Sequence, residues 1–235
     1  MGVHEVRLWR MPARSSKPLR LAQVRQLERT RPSRRPSQKI RAATIRTAIL
    51  EAARSMYAVG GYNSVTMRAI ADQLGLQAPS LYRHFVSKEQ IFVALQQKSF
   101  ELLLAKELNP PALDPVADLR LFYWRYYEFS KQHPDYFTLL FLDRSAPIAF
   151  KGGGDDSETK QILESHADAR VRRCMVTDAF PEDTDVPRAK SALWAAIHGA
   201  AALRLIHEDR SSRFDQLASD TLDGLIAGLR AGAIR

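Results

Sequence analysis

Between Thr66 and Lys88 the chain reads TMRAIADQLGLQAPSLYRHFVSK, a stretch so dense in helix-boundary signals that few folds can hold it. Thr66 offers a hydroxyl to an orphaned backbone N–H, and Ile70, Ala71 and Leu74 follow at the i, i+1, i+4 spacing of a buried helical face. Gly75 supplies the left-handed residue that ends a helix. After Gln77 and Ala78, Pro79 suits the first turn of a second helix, where its missing N–H costs nothing, and Leu81 and Phe85 give that helix an inward face. The opposite face carries Ser80, Tyr82, Arg83 and His84. Two apolar-faced helices joined by a short turn containing glycine predict a helix-turn-helix, whose second helix lies in the DNA major groove and offers its N-terminal side chains to base edges. The alternative is an ordinary helical hairpin with a polar outer face.

Charge is distributed to match that reading. The chain has 235 residues and a net charge of +9, but residues 1–46 hold thirteen Lys and Arg against two Glu. The remainder is therefore slightly acidic, and the basic character belongs to the front of the molecule, where it points to an anionic partner. A membrane surface is the competing partner, but the first 37 residues have no regular amphipathic period and are broken by Pro12, Pro18, Pro32 and Pro36. Residues 1–37 are expected to be a flexible basic arm that adds phosphate contacts or reaches a minor groove; a dispensable solvated tail, or an upstream start with translation beginning at Met11, are the alternatives. A single cysteine, Cys174, precludes an internal disulfide, and no apolar run reaches transmembrane length, so a cytoplasmic protein without membrane partners is expected.

Ile45, Ile49, Ala52, Ala53 and Met56 fall on one stripe of a supporting first helix from about residue 40 to 59, ended by Gly60-Gly61. Ser87 and Gln90 have capping-box spacing at the start of a long helix carrying Ile91, Leu95, Phe100, Leu103 and Leu104. That helix is the expected link through which a signal reaches the reading head. A helix over 114–132 is closed by His133-Pro134, and nine aromatic residues lie between Phe122 and Phe141. Such a concentration of rings makes either a packed core or a pocket for an apolar or aromatic ligand. The run Lys151-Gly152-Gly153-Gly154-Asp155 lacks the GK[ST] ending of a phosphate-binding loop and reads as a flexible connection before a helix over about 156–180. Two C-terminal helices follow, over about 191–205 and 214–229, rich in Ala, Gly and Leu so that a partner helix can approach closely.

Thr66, Ile70, Ala71 and Gly75, followed by Leu81-Tyr82-Arg83-His84-Phe85 and Lys88, resemble the DNA-binding signature of TetR-type transcriptional regulators, the likeness running from about residue 40 to 106. The resemblance implies an all-α protein with an N-terminal three-helix helix-turn-helix domain, here 38–88, and a helical effector-binding and dimerisation domain, here 89–235. It implies that Thr66 and Lys88 hold phosphates and that Arg68 lies near the backbone or a base. Gln77, Ala78, Pro79, Ser80, Tyr82, Arg83 and His84 would then sit at or near the groove floor, with Ala78 a small residue where some relatives carry a hydrogen-bonding side chain. Trp194, His198 and Gly199 resemble the Trp-His-Gly signature of one C-terminal subgroup. On these grounds Phe100, Phe122, Tyr126, Phe129, Phe137, Phe141, Trp194 and His198 are the expected effector-binding residues, the effector being mainly apolar or aromatic. For His198 alone, a buried hydrogen-bonded residue is the competing assignment. The last two helices would form half of a four-helix dimer interface, unless both faces are spent on the monomer's own core.

An enzyme needs convergent acid, base or nucleophile groups, and no C-x-x-C, H-E-x-x-H or G-x-S-x-G occurs; His166 and Cys174, eight apart, do not closely share a helical face. No catalytic residue, metal site or cofactor is expected. The partners expected are a palindromic operator in double-stranded DNA, a small-molecule effector and a second copy of the chain. A repressor is favoured over an activator of the same fold, and over a sequence-indifferent architectural DNA-binding protein that would need neither the reading face nor the aromatic body.

Overall fold

A computed structural model describes residues 38–105, 112–143, 158–207 and 212–235. Among them are nine α-helices and one π-helical turn. The chain divides into two units between Leu95 and Gln96. The basic arm, the Asn109-Pro110-Pro111 stop and the glycine run at 152–154 lie outside the described residues.

The first unit is built from α1 (Gln38–Ser64), α2 (Met67–Leu74), α3 (Ala78–Tyr82) and the start of α4 (Lys88–Ala105). Instead of stopping at Gly60, α1 kinks at Gly61, whose φ of 68° and ψ of −172° no β-carbon-bearing residue adopts cheaply, and resumes to Ser64. Ile49, Val65, Ile70, Leu81, Ile91 and Leu95 have no exposed surface, and the Phe92 ring meets the edges of Tyr57 and Tyr62 at 5.7 and 4.7 Å. Because Ile91, Phe92 and Leu95 are spent on this core, the unit extends through Leu95 and not only to residue 88 as the sequence suggested.

The second unit is a helical bundle around α5 (Pro115–Gln132), which packs against α7 (Glu158–Val176), α8 (Val186–Ile206) and α9 (Arg213–Arg230). Between α5 and α7 lie the short α6 (Pro134–Phe137) and the π-turn Thr138–Leu142. Asp114 caps α5 by accepting from Val116 N at 2.9 Å. Leu119, Tyr127, Phe129, Val171, Leu193, Ile197, Ala218 and Leu222 form the interior. Polar pins tie the helices at their rims: Arg120 forks onto Asp223 at 2.6 and 2.9 Å, and Asp215 accepts from Tyr127 at 2.8 Å and Lys131 at 3.0 Å. Buried Asp118 accepts from Ala112 N at 3.1 Å and faces Arg170 and Arg173 at 3.3 and 3.6 Å.

The α7 helix ends at Val176, short of the expected residue 180, because Asp178 adopts φ 56° and lets the N–H groups of Ala179 and Phe180 return to the Cys174 carbonyl. This is the wrap-back normally made by glycine, with an aspartate in the left-handed position.

Candidate DNA-reading surface and effector region

Thr66 is extended, at φ −131° and ψ 152°, and its hydroxyl accepts from Ala69 N at 3.1 Å, so α2 starts where the sequence says. Gly75 is left-handed at φ 63° and ψ 32°, returning its own N–H to Asp72 O, while Leu76 N reaches Ala71 O. Gln77 takes the N-cap position of α3 without using its side chain, which leaves the amide for another partner. The α3 helix is shorter than expected, ending at Tyr82; Arg83 and His84 belong to the following turn, and Phe85 N still reaches Leu81 O at 3.1 Å so that Phe85 is buried.

Those turns put Ile70, Leu74, Leu81 and Phe85 inside and leave Arg68, Gln77, Ala78, Pro79, Tyr82 and Arg83 at the surface, with Ser80 and His84 half-buried. A cavity of about 390 Å³ lies along the seam of α2 and α3, lined among others by Arg68, Asp72, Gln77, Ala78 and Tyr82. Arg83 donates to Ser80 Oγ at 3.2 Å, and Arg68 stands 3.8 Å from Asp72. Sequence reasoning overlooked Arg46, whose guanidinium lies 4.2 Å from the Phe85 ring centroid and braces the same unit; nothing local marks a pair 39 positions apart. The Lys88 ammonium donates to the Tyr62 carbonyl and stacks over the Tyr62 ring. Burial lowers its pKa, with the Glu89 carboxylate opposing that shift.

In the second unit five of the eight expected effector residues meet. The His198 ring stacks on Trp194 at 4.7 Å and on Phe137 at 5.4 Å, and Phe141 closes on both His198 and Trp194 at 5.4 and 6.3 Å. Tyr126 joins from α5, its hydroxyl 2.8 Å from His198 Nδ1. Burial raises the Tyr126 hydroxyl well above its usual pKa, with Trp194 partly offsetting it, and lowers that of His198. The imidazole is therefore neutral near neutral pH, and one tautomer lets the phenol donate to Nδ1. Trp194 keeps 43% of its surface exposed, so the cluster reaches solvent at one edge.

The remaining three do not join. Phe122 lies under the Arg170 guanidinium at 4.6 Å, Phe129 is wholly buried against His133, and Phe100 is buried on α4. The i, i+4, i+7 stripe on α5 is real, but seven residues climb about 10 Å along a helix, and each level meets a different neighbour. A cavity of about 650 Å³ lies elsewhere, at the ends of α8 and α9, lined by Leu203, His207, Phe214 and Leu217 among others. Cys174, which sequence alone left as a lone thiol, is fully buried and its pKa is pushed up to about 11 by that burial, as expected of an inert core residue. Among the described residues no helix is long and apolar enough to cross a membrane, and no group of three metal-ligating side chains occurs.

These features define an all-α helix-turn-helix protein with a helical body. Residues 49–95 match the family described as bacterial regulatory proteins, tetR family. Over those residues the first unit is similar to the TetR family of regulators. It is 34% identical over 76 residues to the HTH-type transcriptional repressor KstR of Rhodococcus jostii, 32% of this chain and 36% of that one. It is 37% identical over 65 residues to the HTH-type transcriptional regulator UidR of Escherichia coli, 28% of this chain and 33% of that one. The chain thus aligns with about a third of the length of these curated relatives. The fold is similar to that of PfmR, a TetR family regulator of Thermus thermophilus, with a TM-score of 0.58 at 23% identity over 77% of this chain and 98% of that one. It is also similar to the fatty acid degradation regulator FadR of Bacillus halodurans, with a TM-score of 0.64 at 14% identity over 85% and 99%.

Proposed function

We propose that this protein is a cytoplasmic, homodimeric, sequence-specific DNA-binding transcriptional regulator, a repressor released from a palindromic operator by a small, mainly apolar or aromatic effector. The observation that carries the reading is the α2–Gly75–α3 unit, which buries Ile70, Leu74, Leu81 and Phe85 and leaves Gln77, Ala78, Pro79, Ser80 and Tyr82 for base edges. Thr66 and Arg68, with the basic arm at 1–37, would supply phosphate contacts.

A dimer is favoured by the outward faces of α8 and α9. Their inner faces are spent on the bundle, yet Leu203 and Ile206 remain 41% and 49% exposed, Leu217 39%, and a β-carbon at Gly199 or Gly224 would meet open space. Two such faces related by a two-fold axis form a four-helix interface. We place the body in the Trp-His-Gly subgroup on Trp194, His198 and Gly199. The effector would enter at Trp194 and replace ring–ring contacts among Tyr126, Phe137, Phe141 and His198. The named relatives match only about a third of the chain, so this effector class rests on those side chains.

Release follows by population shift: the effector favours a dimer geometry in which the two α3 helices no longer stand about 34–36 Å apart, one turn of DNA. Selection of bound duplexes from a random pool, followed by footprinting, tests the reading. One protected palindrome is expected; uniform protection would favour the sequence-indifferent alternative.

A further inference from the structure

Among the rings of Phe137 and Phe141 in the second unit stand three polar groups, the Trp194 indole N–H, the Tyr126 hydroxyl and the His198 imidazole. The Tyr126 oxygen lies 2.8 Å from His198 Nδ1. Burial raises the Tyr126 pKa well above its usual value, and a hydrogen bond from the Trp194 side chain, whose one polar hydrogen is the indole N–H, lowers it in part. Two contacts thus converge on a hydroxyl that has a single hydrogen to give.

Only one direction of donation uses every hydrogen. If His198 carried its proton on Nδ1, that N–H and the Trp194 N–H would both point at the Tyr126 oxygen. The phenolic hydrogen, on a residue only 7% exposed, would then lack an acceptor, and a buried orphan donor is costly. With the proton on Nε2, Trp194 donates to Tyr126 and Tyr126 donates to Nδ1. Burial lowers the His198 pKa, so the ring is neutral and Nδ1 remains an acceptor. The His198 Nε2–H is then the donor left over, and it has no partner among the described residues. Trp194, stacked on the His198 ring and 43% exposed, opens this end of the cluster to solvent.

We infer that Trp194, Tyr126 and His198 form a one-way hydrogen-bond relay that presents the His198 Nε2–H to the effector, so that the site selects an apolar or aromatic molecule bearing a carbonyl-type oxygen acceptor. The inference rests on the effector site proposed above. A ligand that brings only donors finds no spare acceptor in the relay, and an unpaired charge among these rings is costly.

The test uses three probes of similar shape, acetylnaphthalene, ethylnaphthalene and naphthylethylamine, titrated into the full chain and followed by calorimetry. The ketone should bind at least about fivefold more tightly than the hydrocarbon, the return on one hydrogen bond, and more tightly than the amine. His198→Phe, which keeps a ring and removes the donor, should level the ketone with the hydrocarbon. Equal affinity of ketone and hydrocarbon for the wild type would overturn the inference, as would a ketone preference that survives in folded His198→Phe. Tighter binding of the amine, the behaviour of a cage that holds a cation on its ring faces, would overturn it too. Should His198→Phe not fold, nitrogen nuclear magnetic resonance of the wild-type His198 ring decides: the proton should reside on Nε2, and a proton on Nδ1 contradicts the relay. Binding of none of the three probes would be a distinct result, removing the effector site itself and this inference with it.

Discussion

The Tyr126 hydroxyl and the His198 imidazole meet at 2.8 Å, joining α5 to α8 across 72 residues of sequence. The pair is the polar centre of a ring cluster, and its protonation is coupled to folding. Burial lowers the His198 pKa, so the unfolded chain binds its proton more readily than the folded one. This group therefore costs nothing well above pH of about 6.5, the ordinary histidine value, and weakens the fold progressively as pH falls from there to its lowered folded value. Thermal unfolding across that window should show His198→Gln losing less stability on acidification than the wild type. An identical pH profile would mean that His198 binds its proton as readily in the folded chain as in the unfolded one.

Phe129 and Trp194 both stood among the expected effector residues, and the structure separates them. Phe129→Ala, at a wholly buried site, should cost about 3–5 kcal/mol without altering the dose of effector that releases DNA per folded dimer. Trp194→Ala, at a half-exposed site, should cost less stability and raise that dose. Calorimetry beside effector-induced release makes the comparison, and equal responses in both variants would leave the ring cluster as packing alone.

Asp118 is buried between Arg170 and Arg173 and also holds the Ala112 N–H. Asp118→Asn removes the charge that balances two guanidinium groups, and should destabilise the second unit by about 3 kcal/mol, the low end of the range for a broken buried pair, because Arg173 is a third exposed. Denaturant unfolding reads this directly; a loss under about 1 kcal/mol would show the pair to be solvent-screened.

The arm at residues 1–37 carries ten Lys and Arg against two Glu. A chain beginning at Ser37 should keep its operator preference and bind more weakly at low salt, the difference closing at high salt. Loss of sequence preference on truncation would make the arm a reader.

What could be read from sequence, and what could not, follows from the range of the forces involved. The Thr66 cap, the Gly75 turn and the Ile70, Leu74, Leu81 and Phe85 faces were legible because each depends on neighbours within a turn or two. The capping box was legible only by half: Ser87 accepts from Gln90 N at 3.4 Å, but Gln90 returns to Val86 N and not to Ser87. The contact of Lys88 with Tyr62 was not legible, because the two stand 26 positions apart. Phe122 and Phe129 shared a stripe with Tyr126, yet periodicity carries no information on which helix faces each level of α5. The left-handed Asp178 that stops α7 has no glycine to announce it.

The central claim is that α3 reads a sequence. It is tested most directly by fluorescence anisotropy of the wild-type protein at physiological salt, on the duplex it selects and on a scrambled duplex of the same length and composition. The account predicts binding to the selected duplex at least about 10³-fold tighter. Equal affinity for the two would contradict it.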